Sequence, residues 1–86
     1  ISDCYKVCEL YVPARFVGLK IKDISLAQHN IQLLLIRKPK GLLHPKYMSK
    51  IEFDDHLPAE IDAILQKDDL LVVFGLKKDI DKFVVI

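Results

Sequence analysis

The stretch CYKVCELYV, Cys4 to Val12, is rich in β-branched and aromatic residues and is closed by Pro13. Leu10 and Val12 share one face and Val7 and Tyr11 the other, which predicts a strand with apolar character on both sides. Gly18 interrupts the chain. LKIKDISLAQH then sets Ile21, Ile24 and Gln28 on one side and Lys20, Lys22 and Asp23 elsewhere, the spacing of a short amphipathic helix. NIQLLLIRK predicts a second strand, and its four successive apolar residues, Leu33–Ile36, imply burial on both faces.

From Pro39 to Leu57 the pattern loosens. Prolines, a glycine and mixed charges fall here, with a turn of helix and a short third strand expected near Lys50–Phe53. LPAEIDAILQKDD reads as a turn or a single helical turn with Ile61, Ile64 and Leu65 facing inward. LLVVF, Leu70–Phe74, is a further strand, entered through an Asp68–Asp69 turn. Gly75 is expected to reverse the backbone. KKDIDKF follows as a short helix whose Ile80 and Phe83, one turn apart, dock on the sheet, and three apolar residues end the sequence. The order is β-α-β-β-β-α. The fold class expected is α+β: a small mixed, largely antiparallel β-sheet with short helices.

With 86 residues the sequence is one domain, 1–86. It is 51% hydrophobic, high for a chain that can bury only a modest share of its surface. Membrane insertion does not absorb that excess, because a span needs roughly 20 consecutive apolar residues. Self-association does, since exposed apolar patches mark interfaces. The sequence opens in mid-pattern without a Met, and is expected to be a piece of a longer protein with a nucleotide-binding or membrane domain upstream.

A net charge of +1, with acids interleaved among the bases, leaves no electrostatic footprint for nucleic acid. The basic tract IRKPKG reads as a solvated turn. On one strand Cys4 and Cys8 lie about 13 Å apart, at roughly 3.3 Å per residue, whereas a disulfide needs Cα atoms within roughly 7 Å. Free thiols in a reducing compartment are expected, and two thiols on one strand are a poor metal set.

No G-x-S-x-G, Walker A, G-x-G-x-x-G or H-E-x-x-H pattern occurs, and Ser2, Ser25 and Ser49 lack a nucleophile context, so no enzyme is expected. His29, His44 and His56 read as surface or turn residues. His56, just ahead of the turn at Pro58, is the best placed of them to touch a ligand. Glu52, Asp54 and Asp55 offer oxygen ligands of the kind a divalent cation takes, and equally read as a solvated loop.

Three ordered blocks resemble the C-terminal regulatory domain of potassium-conductance regulators, the RCK C-lobe or TrkA-C domain of TrkA/KtrA-type proteins. In ELYVPARFVGLKIKDISL, Glu9, Val12, Pro13, Val17, Gly18, Ile21 and Ile24 match, with Leu19 where lysine is usual. HNIQLLLIRK matches in shape, with Ile36 and Arg37–Lys38 in place and Asn30 where the family has glycine. Pro58, Asp62, Leu65, Asp69, Leu71, Val73 and Gly75 keep the spacing of the third block, with Asp68 where glycine is usual. The segment Pro39–Leu57 is longer than the family's hairpin.

The resemblance covers Glu9 to Phe83. It implies a cytoplasmic homodimer at the inner face of the cell membrane, beneath a potassium transporter or channel subunit, without nucleic acid. It also implies a small effector such as cyclic di-AMP at the dimer interface and no cofactor in this domain, NAD(H) or ATP belonging to an upstream lobe. Two copies of IQLLLI and HLPAE would then form a symmetric cleft, with Ile31 and Gln32 as apolar floor and amide contact and His56 and Pro58 on the rim. A purely structural dimerisation module, or the regulatory domain of another transporter, an antiporter or a transcription regulator, is the alternative.

Overall fold

Among the described residues four strands make a single sheet: β1 (Tyr5–Tyr11), β2 (Ile31–Pro39), β3 (Phe53–His56) and β4 (Leu70–Leu76), in the spatial order β1-β4-β2-β3. The computed structural model describes residues 4–40, 52–58 and 64–85. Each neighbouring pair of strands is antiparallel. Helix α1 (Lys77–Val85) and 3₁₀ turns at Ala14–Phe16, Ile21–Asp23 and Leu26–His29 complete the fold, which is α+β. The expected helical turn ahead of β3, His44, Ile61 and Asp62 lie outside the described residues.

The apolar strand β4 occupies the interior of the sheet, between β1 and β2. Both of its edges are paired and Leu71 and Val73 are fully buried, which accounts for its composition. Among the described residues the main core cluster lies on one face. Ile31, Ile36, Leu71 and Val73 meet Ile80 and Phe83 of α1, and Val12, Ile24, Leu26 and Leu65 close the rim. Phe83 has no exposed surface; its ring stacks on Phe16 at 5.3 Å and meets the edge of His29 at 5.5 Å.

The amphipathic helix expected over 19–29 is instead two short 3₁₀ turns. Ile24 between them is extended (φ −106°, ψ 123°). The reason is packing: at helical spacing Ile24 and Leu26 would point to nearly opposite sides, and the break lets both be buried. Gln28, expected to share the side of Ile21 and Ile24, is exposed.

A bulge explains the LLLI run. Leu33 opposes Val73 and Leu35 opposes Val72, so Leu34 is the extra residue. The inward set therefore changes parity, from Ile31 and Leu33 to Ile36, and both halves of β2 reach the core.

Gly75 does not reverse the backbone. It lies within β4, paired with Lys6 and Ile31. A Cβ there would stand 3.1 Å from the Asn30 carbonyl oxygen, so glycine admits a close backbone approach. Asn30 itself is left-handed (φ 60°), a conformation asparagine tolerates better than most residues. Of the residues expected to face inward ahead of β4, Leu65 is buried, but Ile64 is half exposed and bridges to Lys20.

Candidate functional site

The second face of the sheet carries no helix among the described residues. Alternation along β1 sends Cys8 and Leu10 toward the core and leaves Tyr5, Val7, Glu9 and Tyr11 on this open face. Residues directly opposite share a face, so Phe74 and Val72 of β4 and Gln32, Leu35 and Arg37 of β2 join them. Tyr5, Val7 and Tyr11 are 66%, 61% and 61% exposed.

At one end of this face Tyr5 stacks on Phe74, with ring centroids 5.4 Å apart and planes 10° from parallel. Gln32 lies directly opposite Phe74. These side chains, with Ala27, Asn30, Ile31 and Gly75, line a shallow cleft of about 280 Å³. An aromatic wall beside side-chain amides suits a flat, hydrogen-bonding ligand. At the other end of β1 a wider hollow of about 650 Å³ is lined by Tyr11, Val12, Ala14, Val17, Lys67 and Asp68.

Three charges bridge the face. The Arg37 guanidinium donates from Nε to Asp55 Oδ1 at 2.8 Å and from Nη1 to Glu9 Oε1 at 3.0 Å. It lies 5.1 Å above the Phe53 ring. Asp55 first, and Glu9 second, raise its pKa above the ordinary arginine value. With both carboxylates engaged, Arg37 ties β1, β2 and β3 together and is a poor receptor for an incoming anion.

The opposite face holds a buried ion pair. Lys38 Nζ donates to Asp69 Oδ2, and the same oxygen accepts the Gln66 N–H at 2.9 Å. The Asp69 side chain is 3% exposed. The Asp68–Asp69 turn is therefore anchored inward by Asp69, whereas Asp68 is exposed.

The four residues singled out from the sequence fall into two places. Ile31, buried, and Gln32, exposed, line the aromatic cleft. His56 opposes Ile36 on β3 and Pro58 lies just beyond it. Five positions of β2 separate Ile31 from Ile36, roughly 16 Å of strand, so within one copy these pairs do not share a cleft. The acids Asp54 and Asp55 point to opposite faces and go to different bases, Lys40 at 3.6 Å and Arg37 at 2.8 Å. Among the described residues no three His, Cys, Asp or Glu side chains converge as a metal site would require. Both thiols are free, and His29 packs on Phe83. Tyr5, Asn30 and Phe74 were not evident as site residues. The signal for Tyr5 is its two-residue step from Val7 on β1, but its meeting with Phe74 depends on the β1–β4 register.

No family model matches the chain, and no curated protein matches it. No helix among the described residues is long and apolar enough to cross a membrane.

Proposed function

We propose that the chain is a cytoplasmic regulatory domain of a potassium or other cation transport system, paired as a homodimer and responsive to a small effector of the cyclic di-AMP type. The observation that carries this reading is the Tyr5–Phe74 stack in a cleft that Gln32 and Asn30, two amide-bearing residues, also line. An aromatic wall holds a base by its face while amides reach its edge. Ligand pockets run roughly 300–1,000 Å³, so a cleft of about 280 Å³ suits one base. A two-base effector would then seat one of its bases here. The transport setting rests on the three-block sequence resemblance. A regulator of this kind acts by binding one gate state more tightly than the other.

Calorimetric titration of the chain with cyclic di-AMP tests it. Saturable heat is expected, reduced at least tenfold in affinity by Phe74→Ala. No heat with the parent protein removes the effector. A purely structural dimerisation module is the second reading, favoured by an open apolar face that extends well past the cleft, to Val7 and Tyr11. A dimer indifferent to the nucleotide would select it.

A further inference from the structure

We infer that the homodimer forms by edge-to-edge pairing of β1 with β1 of a second copy, antiparallel, with the two-fold axis at Cys8. This rests on the reading of the chain as a homodimer and specifies its surface. Strand β1 is an edge strand, bonded to β4 alone among the described residues. Its backbone directions follow from its two ends. Val12 N–H donates to the Asp69 carbonyl at 3.2 Å, and the Cys4 carbonyl accepts the Lys77 N–H at 3.0 Å. Both bonds continue the β1–β4 register, so even-numbered residues of β1 bond inward to β4. Alternation then turns the N–H and C=O groups of Tyr5, Val7, Glu9 and Tyr11 outward.

Protected edges are short, bulged, proline-bearing or heavily charged. β3 at the opposite edge is of that kind: four residues, with two aspartates. β1 has seven residues, no proline and no bulge, and only Lys6 and Glu9 carry charge. Pro13 lies beyond its end.

A second copy is the occupant that geometry and charge select. A two-fold axis perpendicular to the sheet keeps both covered faces on one side, so opposed residue numbers must sum to an even value. Centring on Cys8, the middle of the strand, opposes Tyr5 with Tyr11 and Val7 with Glu9. Every outward backbone group then has a partner. Centring on Lys6 or Glu9 would set like charges against each other, and centring on Val7 would carry Tyr11 past the end of the partner's β1. The Cys8 pair becomes a non-hydrogen-bonded pair, with Cα atoms about 4.5 Å apart, inside the range a disulfide spans. Tyr11 of the second copy arrives opposite Tyr5, at the margin of the aromatic cleft, so the two open faces become continuous.

The test uses the 86-residue chain in sedimentation velocity and in mild copper–phenanthroline oxidation, with Cys4→Ser, Cys8→Ser and Val7→Pro variants. The expected result is a dimer whose oxidative cross-link survives Cys4→Ser and is lost in Cys8→Ser. Val7→Pro removes an outward N–H and leaves the β4 ladder intact; circular dichroism should report a folded monomer. A dimer that cross-links through Cys4 alone, or not at all, overturns the β1 edge while leaving the homodimer standing. A monomer at 100 µM overturns both. Should Val7→Pro fail to fold, the two serine variants decide.

Discussion

Removing the Asp69 carboxylate is the most informative change to the core. Its side chain is 3% exposed, and it both neutralises Lys38 and accepts the Gln66 N–H. Asp69→Ala leaves an ammonium and a backbone donor without their acceptor. Breaking a buried pair from one side costs about 3–5 kcal/mol. The Lys38 side chain is 20% exposed and also donates to the Ile64 carbonyl at 3.3 Å, so part of its hydration is regained. A loss around and somewhat below the lower end of that range follows, about 2–4 kcal/mol. A domain of this length has roughly 4–13 kcal/mol in total at 0.05–0.15 kcal/mol per residue, so the loss is a large share of it. Asp69→Asn keeps an oxygen for Gln66 and should cost about 1–2 kcal/mol less than Asp69→Ala, since a single satisfied backbone donor is worth that much. Urea unfolding followed by circular dichroism, with m near 1 kcal/mol/M for a small domain, should show the Asp69→Ala midpoint falling by about 2–4 M. A midpoint within about 0.5 M of the parent would refute the reasoning, because the pair would then contribute no more than a surface contact.

Gly75→Ala should destabilise by about 1–2 kcal/mol in a thermal melt, because the new Cβ meets the Asn30 carbonyl oxygen at 3.1 Å and a backbone must give. Arg15→Ala removes a hydrogen bond to the Phe83 carbonyl and a guanidinium 4.2 Å over the Phe16 ring; hydrogen exchange should accelerate in α1, with a loss of about 1–2 kcal/mol. Asp81→Asn tests the Lys77–Asp81 pair at 2.9 Å. The Lys77 side chain holds the Asp81 pKa below its ordinary 3.8. A depressed carboxylate contributes stability above its unfolded pKa and loses it as pH falls through the folded one. The small difference in urea midpoint between parent and Asp81→Asn should therefore be present at neutral pH and vanish below the depressed pKa.

Much of the framework was legible in local pattern. β1 alternates, β4 is a short apolar run between turns, and Ile80 and Phe83 stand one helical turn apart, so two strands and the closing helix follow from spacing alone. The misreadings share one cause, a constraint set by a distant neighbour. The chain leaves helical geometry at Ile24 because Ile24 and Leu26 must both reach Phe83's side of the sheet. Leu34 looks like one more core residue until the β4 register makes it a bulge. Gly75 looks like a turn glycine until β2 passes against it. The candidate cleft was half legible for the same reason: Ile31 and Gln32 line it, but its aromatic wall forms only when β1 and β4 pair and bring Tyr5 onto Phe74.

The central claim is that this wall, with the neighbouring amides, receives the base of an effector. Nitrogen-15 NMR of the 86-residue chain during titration with cyclic di-AMP tests it residue by residue. The account predicts saturable shifts of the Asn30 and Gln32 side-chain amides and of the Phe74 and Gly75 backbone, with His56 at the far side of the sheet unmoved. An unchanged spectrum, or shifts confined to β3, would contradict it.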